Sequence, residues 1–130
     1  QMTVDTGPVD VASVMYSAKW AKENPELAKR FTVAYLKGHR DYFRAMQKGP
    51  NRKEVIEMAI KYTALKDPAA YEKMFWGAIP EDGYVDKESL KKQQDWFIQN
   101  GYQQDRANLD SLVDNSYVLY ANQVLGEFKP

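Results

Sequence analysis

The stretch that decides the fold is NPELAKRFTVAYLKGHRDYFRAMQKGP, residues 24–50. Asn24 is a preferred residue at a helix start because its side chain can accept a hydrogen bond from a free backbone amide, and Pro25 suits the first helical position because it lacks an amide hydrogen. Gly49 and Pro50 predict the end of the helix. Apolar residues recur between these points at steps of three and four, at Leu27, Phe31, Ala34, Tyr35, Tyr42 and Met46. The spacing therefore predicts one long helix with this apolar stripe buried.

Similar start and stop signals outside this stretch predict five further helices. A short helix is predicted ahead of the long one, from about Ala18 to Glu23. The other four are predicted from the residues of their first turns and from the breakers that end them. They start at Asn51 with Glu54 as a capping box, at Asp67-Pro68, at Asp86 with an end at Asn100-Gly101, and at about Asp110 with an end at Gly126.

The segment PVDVASVMY, residues 8–16, is the one stretch that favours a strand. The β-branched residues Val9, Val11 and Val14 follow a Gly-Pro breaker pair, and this pattern is typical of a short strand. The sequence thus predicts a mainly α chain, with about six helices and one short strand. Because a lone strand needs a partner, we expect the isolated chain to self-associate or to swap elements.

The composition excludes several classes of function. Eighteen Lys and Arg residues balance eighteen Asp and Glu residues, so no net field attracts nucleic acid or an anionic membrane. The chain has no cysteine, which rules out disulfides, thiolate catalysis and sulfur-ligated zinc. No apolar run reaches the roughly 18 residues that span a bilayer. Residues 1–10, QMTVDTGPVD, lack the basic and apolar regions of a signal peptide, so we expect the leader of an exported protein to precede Gln1.

Residues that could carry chemistry are few and isolated. His39 is the only histidine, so neither a histidine metal pair nor a Cys-His nucleophile can form, and we expect it to be a packing or surface residue. Glu81, Asp82 and Asp86 lie in one turn-rich loop, but their spacing does not match a calcium loop. The chain also lacks a glycine-rich phosphate loop and a nucleophile-elbow serine motif. The sequence therefore predicts no catalytic residue, no metal site and no cofactor.

Aromatic residues offer the remaining candidates for a binding site. Most of them fall at helical spacing, and this assigns to the core Phe31, Tyr42, Phe75, Phe97 and Tyr117. Trp76 and Tyr84 differ because they flank or lie within the breaker-rich segment GAIPEDGYVD, residues 77–86. An aromatic ring at such a loop can line the mouth of a pocket or simply anchor the loop. We therefore keep Trp76 and Tyr84 as candidate substrate-binding residues.

Four pieces of the chain, in this order and spacing, resemble a known family. They are the predicted strand and short helix before AKENPELAKRF, the helix that continues as VAYLKGHRDYF, the segment from Asp82 to Gly101 with the pattern DG-x-VD-x-ESL-x-x-x-x-DWF-x-x-x-G, and LDSLVDNSYVLYANQVLG at the end. From about Val9 to Phe128 the chain is similar to the C-terminal portion of the periplasmic solute-binding proteins of ABC importers. The likeness is to the nitrate, sulfonate and taurine class, which also includes the pyrimidine-precursor-binding proteins.

The resemblance implies a larger protein with two α/β lobes of the periplasmic-binding-protein type 2 fold, which close on a solute held between them. Residues 1–130 would then form a single helical C-terminal segment. The whole protein would capture a small organic or anionic nutrient, nitrate-, sulfonate- or taurine-like or a pyrimidine or other aromatic compound, and deliver it to an ABC permease. It would be periplasmic, or extracellular and membrane-associated. The solute and the permease are the expected partners, and nucleic acid is not.

Two other classes of function remain open at the level of sequence. A stand-alone helical interaction module would show the same caps and stripes, and it would be favoured if one helix carried a second, exposed apolar face. A pyrimidine-synthase-like enzyme is the other alternative, because the same superfamily includes such a synthase. No catalytic motif of that kind matches this chain.

Overall fold

A computed structural model describes residues 12–129 of the chain. Within these residues there are seven helices: α1 Ala18–Glu23, α2 Pro25–Met46, α3 Arg52–Tyr62, α4 Pro68–Lys73, α5 Lys87–Gln99, α6 Leu109–Leu112 and α7 Ser116–Leu125. The prediction of a mainly α chain is confirmed.

The predicted short strand is wrong where the structure tests it. Residues 9–11 lie outside the described residues, and residues 12–17 are neither helical nor part of a sheet. A strand is stable only beside a partner strand, and no strand occurs in residues 12–129. The segment is fixed by a side chain instead, because the Tyr16 hydroxyl donates to the carbonyl oxygen of Ala28 on α2 at 3.2 Å.

Two of the four predicted side-chain caps form. The carboxylate of Asp67 accepts from the Ala69 amide at the start of α4, and that of Asp86 accepts from the Glu88 amide at the start of α5, each at 2.9 Å. Each of these contacts satisfies one of the free amides of a first turn.

The two asparagines predicted as caps act differently. The side-chain amide of Asn24 donates to the Trp20 carbonyl at 3.0 Å, and that of Asn51 donates to the Asp41 carbonyl at 2.8 Å. Neither side chain accepts a bond from its own helix. The helices still begin beside these residues, but the asparagine side chains bond the preceding helix rather than the helix that they start.

The last predicted helix is divided into α6 and α7. Val113 has an extended backbone, with φ of −105° and ψ of 109°, and the Asp114 carboxylate accepts from the Ser116 amide at 2.9 Å. Aspartate commonly diverts the backbone from helix in this way because its side chain bonds a nearby amide. The predicted end at Gly126 is confirmed, since α7 ends at Leu125.

Helix α2 is the centre of the fold, but only the C-terminal part of its predicted stripe is buried. Tyr42 and Met46 of that stripe are partly buried against the core, whereas its N-terminal part is not. The stripe of Leu27, Phe31 and Tyr35 is between 41% and 50% exposed. The buried residues of α2 are instead Ala28, Thr32, Leu36, Arg40 and Ala45. Helix α7 packs on α2 more extensively than any other described helix does, and its Ala121 is fully buried. Arg40 joins the two helices through its hydrogen bond to Asn122, so the side of α2 that faces α7 is the one that carries Arg40 rather than the bulky stripe.

A second cluster joins the C-terminal end of α2 to α3 and α4. Its buried members are Ala45, Ile56, Tyr71 and Trp76, and partly buried residues of α2 and α3 pack around them. Of the residues predicted for the core, Phe75 is wrong because it is 85% exposed, just beyond the end of α4. The prediction for Phe31 on α2 is also wrong, because its side chain is 47% exposed.

Helix α5 packs against α6 and against no other helix of residues 12–129. The Lys87 ammonium on α5 lies 2.9 Å from the Asp110 carboxylate on α6. Arg106, in the segment between the two helices, pairs with Asp95 on α5. The α5–α6 unit is therefore attached to the rest of the described chain mainly through its connecting segments.

Candidate functional site

Trp76 is a buried anchor of the second cluster. Its indole N–H donates to the Tyr71 carbonyl at 2.7 Å, and its side chain is only 8% exposed. The Arg52 guanidinium carbon lies 4.4 Å from the ring centroid, while the Tyr42 ring lies 5.2 Å away. These contacts surround the indole with protein groups. They thereby fix the segment that follows α4. Its role in binding a substrate stays a prediction.

Arg52 connects three helices around this tryptophan. Its guanidinium donates to the Ala45 carbonyl at 2.9 Å and to the Tyr71 carbonyl at 3.2 Å, and it pairs with Glu72 at 2.9 Å. The carbonyls at the C-terminal end of a helix carry partial negative charge, so a guanidinium there is favourable. The two carbonyls belong to the last turns of α2 and α4, so Arg52 fixes both ends beside Trp76.

Tyr84 lies in residues 77–86, which we call the 77–86 loop. Its side chain is 36% exposed, and its backbone amide donates to the Asp82 carboxylate at 3.1 Å. No ring contact joins it to Trp76 within residues 12–129. The structure therefore places the two candidate residues on one connecting segment but does not bring their rings together, and a shared ligand for them stays a prediction.

Two asparagines of α7 hold the 77–86 loop against the helices. Asn115 exchanges two hydrogen bonds with the backbone of Val85, at 3.2 Å and 3.1 Å. Asn122 donates to the Asp82 carbonyl at 2.9 Å. Gly83, which lies between these two points, would place a Cβ atom 2.9 Å from Leu36 Cδ1. The loop is thus fixed over the contact between α2 and α7.

Asn122 also serves as the partner of a buried cation. Its side-chain oxygen accepts from the Arg40 guanidinium at 2.9 Å, and the Leu125 carbonyl accepts a longer bond at 3.5 Å. Arg40 is 7% exposed, and no carboxylate pairs with it in residues 12–129. Its Nε atom has no hydrogen-bond partner. Two groups compensate the positive charge of Arg40: the C-terminal end of α7 and the face of the Phe128 ring. The centroid of that ring is 5.5 Å from the guanidinium carbon.

His39 precedes this cation on α2. Its ring centroid is 4.2 Å from that of Tyr35. Its Nδ1 atom is buried without a partner. Burial lowers the pKa of His39 below its ordinary value, and the backbone of Pro80 opposes this effect in part. The expectation of a packing role agrees with this position.

The exposed stripe of α2 is part of a larger surface that the sequence did not predict. Its rings form a continuous series, with centroid distances of 5.4 Å, 5.9 Å, 6.1 Å and 4.2 Å between successive members. We call this series the aromatic row; its members are Trp20, Tyr16, Phe31, Tyr35 and His39. A shallow groove of about 380 Å³ opens at one end, lined by Val14, Met15, Tyr16, Ser17, Trp20 and Phe31. The sequence signal was present in the stripe, but it was assigned to the core.

No group of three or more His, Cys, Asp and Glu side chains in residues 12–129 is placed to hold a metal ion. None of the helices in the described part is both long and apolar enough to cross a membrane. Comparison of the chain with protein-family models, curated proteins and solved structures gave no match.

Proposed function

We propose that the chain is the helical C-terminal segment of a solute-binding protein of an ABC importer. The whole protein would capture a small organic or anionic nutrient between two α/β lobes in the periplasm, or outside the cell at the membrane, and deliver it to a permease without bond chemistry. The role of this segment is structural: its helices cover and complete one lobe. The proposal rests on the resemblance of residues 9–128 to that class.

The observation that best supports a larger assembly is the exposed apolar surface. Leu36 is the largest side chain that is completely buried in residues 12–129, whereas Met15 is 90% exposed and Phe31 is 47% exposed. Soluble monomers rarely expose a large contiguous apolar patch without using it. The aromatic row with Val14, Met15 and Leu27 forms such a patch, and the remainder of a lobe would cover it.

The experiment that tests the proposal is the intact mass of the native gene product, read with the reading frame upstream of Gln1. We expect a product much longer than this chain, opening with a signal peptide and encoded beside a permease and an ATPase. Ligand screens by calorimetry on that full-length product would then identify the solute. A native start at Met2 would refute the proposal.

The exposed stripe of α2 also favours a second candidate, a stand-alone helical interaction module. Leu27, Phe31 and Tyr35 form a second apolar face on a helix whose opposite side is already buried by α7. Such a face is the usual anchor for another helix or a protein surface. A native product of about this length would favour the module, and light scattering of that product would show whether the face is covered by a second copy.

A further inference from the structure

Asn100 and Gly101 form the one Asn-Gly pair in the amino-acid sequence. In such a pair the backbone nitrogen of the glycine can attack Cγ of the asparagine side chain and close a cyclic imide. Glycine allows this attack best because it has no Cβ atom to crowd the approaching carbon. The pair lies at the C-terminal end of α5, and Asn100 is exposed to solvent. Sequence and exposure together make the Asn100 side chain a candidate for chemical modification.

The folded end of α5 holds both reacting groups in hydrogen bonds. The side-chain amide of Asn100 donates to the Trp96 carbonyl at 2.8 Å. The Gly101 amide donates to the Ile98 carbonyl at 3.1 Å. The ψ angle of Asn100 is 8°, which turns the Gly101 nitrogen away from the side chain, since ring closure requires that nitrogen to eclipse Cβ about the Cα–C bond. The imide therefore cannot form until the last turn opens.

The last turn of α5 lies at an exposed end of the helix. Helix α5 packs against α6 and against no other helix of residues 12–129. The Tyr102 amide donates to the Phe97 carbonyl at 2.9 Å, and the Tyr102 ring stacks on that of Trp96 at a centroid distance of 5.7 Å, but Tyr102 is 73% exposed. Helix ends with exposed hydrogen bonds open locally at a small cost in free energy. Opening of this turn therefore sets how often the ring can close.

We propose that Asn100 is a deamidation site that reacts only when the last turn of α5 is open. The Gly101 nitrogen then bonds to Cγ of Asn100, and ammonia leaves with the hydrogen that this nitrogen gives up. Water adds to either carbonyl of the ring and leaves aspartate or isoaspartate at position 100. The net change is amide plus water to carboxylic acid plus ammonia, with no oxidation or reduction. It does not depend on which solute or partner the protein has.

The product does not fit the end of the helix. A carboxylate has no hydrogen to donate to the Trp96 carbonyl. It also places a negative charge beside the free carbonyls of the helix end, which is unfavourable, and the last turn of α5 has no basic residue to offset that charge. Isoaspartate adds a methylene group to the backbone, which moves the amides of Gly101 and Tyr102 away from their acceptors. Deamidation therefore weakens the last turn of α5.

Mass spectrometry of the full 130-residue chain at mildly alkaline pH tests the site. Trypsin releases residues 93–106 as one peptide because it cleaves after Lys92 and after Arg106, and chromatography separates its asparagine, aspartate and isoaspartate forms. The reaction is followed in buffer and in urea at a concentration that unfolds the chain. Because two hydrogen bonds must open first, we expect Asn100 to react about fivefold to about 150-fold more slowly in the folded chain. It should be the first asparagine of residues 12–129 to react.

Three results of this time course would overturn the proposal. Equal rates in the folded and the unfolded chain would show that the turn does not control the reaction. A folded chain in which Asn100 reacts more slowly than the expected range would show that this residue is not a site. Earlier reaction of another asparagine in the folded chain would do the same.

Two variants separate the chemistry from its effect on the helix. Asn100→Gln keeps an amide but needs a larger ring, so its peptide should stay unchanged over the same time. Asn100→Asp carries the charge of the product from the start, and we expect the protection of its Tyr102 amide against hydrogen exchange to fall by about fourfold to about 70-fold relative to the wild type. Amides in the middle of α3 are the internal reference. Unchanged protection of Tyr102, or equal reaction of Asn100→Gln, would overturn the argument.

Discussion

Gly83 lies where the 77–86 loop crosses α2, and we predict that Gly83→Ala destabilises the protein by about 2–5 kcal/mol. Its φ is +72°, where a Cβ atom costs about 1–2 kcal/mol. The added Cβ would also lie 2.9 Å from Cδ1 of Leu36, a side chain that is 1% exposed and has little room to move. Overpacking of that kind costs about 1–3 kcal/mol.

Gly101 is the matched control because only one of the two effects applies there. Its φ is +74°, and a Cβ atom would meet no other group within 4 Å. Gly101→Ala should therefore cost only the backbone effect, about 1–2 kcal/mol. Gly38, inside α2, has the same free space without the unusual backbone, so Gly38→Ala should stabilise the protein by about 0.5–1 kcal/mol.

Urea unfolding followed by far-UV circular dichroism measures all three free energies, and equal m-values would show that the unfolded states are comparable. Because Gly83 and Gly101 share the backbone effect, the difference between their alanine variants isolates the clash with Leu36, about 1–3 kcal/mol. The variant Leu36→Val, which lacks the clashing Cδ1 atom, should remove that difference when it is combined with Gly83→Ala. If Gly83→Ala costs no more than Gly101→Ala, the loop does not press on Leu36 and the argument fails.

Two further substitutions test the polar contacts that hold α7 and the residues after it. Asn122→Ala should lower the free energy of unfolding in urea by about 2–4 kcal/mol, because it leaves the buried Arg40 without its 2.9 Å acceptor and the Asp82 carbonyl without its donor. Asn122→Asp keeps the acceptor and should lower the free energy of unfolding clearly less. Equal losses for the two variants would contradict this role of Asn122. Phe128→Ala should lower the free energy of unfolding by about 1–2 kcal/mol, because the ring centroid lies 4.7 Å from the Arg44 guanidinium carbon and 5.5 Å from that of Arg40. Phe128→Leu separates the loss of the ring from the loss of apolar contact. If neither variant changes thermal unfolding, the contact is refuted.

The positions of the helices could be predicted from the sequence because their ends depend on local chemistry. Pro25 and Pro68 occupy the first positions of α2 and α4, and Asp67 and Asp86 accept the first-turn amides. Such contacts span only a few residues, so the sequence carries the whole signal. The asparagine caps failed because a side-chain amide can also donate, and both side chains bond a carbonyl of the preceding helix instead.

The buried side of α2 could not be predicted because the side with the largest apolar side chains was expected to be the buried one. Phe31 and Tyr35 have large apolar areas, yet the side of α2 that bonds α7 is the one that carries Arg40, which donates to Asn122. Which side of a helix is buried depends on the helix that packs against it. Here that helix is distant in sequence: Arg40 on α2 bonds Leu125 on α7, 85 residues later. No local pattern encodes that choice.

The candidate site shows the same division between local and distant information. The breaker-rich composition of residues 77–86 correctly indicated a loop, and Trp76 and Tyr84 do lie at it or in it. Trp76 is buried because Arg52 and Tyr42, which belong to other helices, pack on its ring. The aromatic row likewise depends on Tyr16, whose ring reaches Phe31 from a segment that was predicted to be a strand.

The distribution of apolar and polar contacts also bears on what this segment can do by itself. The exposed rings of Phe31 and Tyr35 lie on the outer side of α2. The contacts that fix α7 and the 77–86 loop are largely those of Arg40, Asn115 and Asn122. Hydrogen bonds to a buried cation contribute about 1.5–3 kcal/mol each, and covering a large aromatic side chain contributes a comparable amount. The polar contacts are therefore enough to define how these helices pack, but the free energy available from the aromatic row is gained only when another surface covers it. This is the physical reason for interpreting the chain as one part of a larger fold.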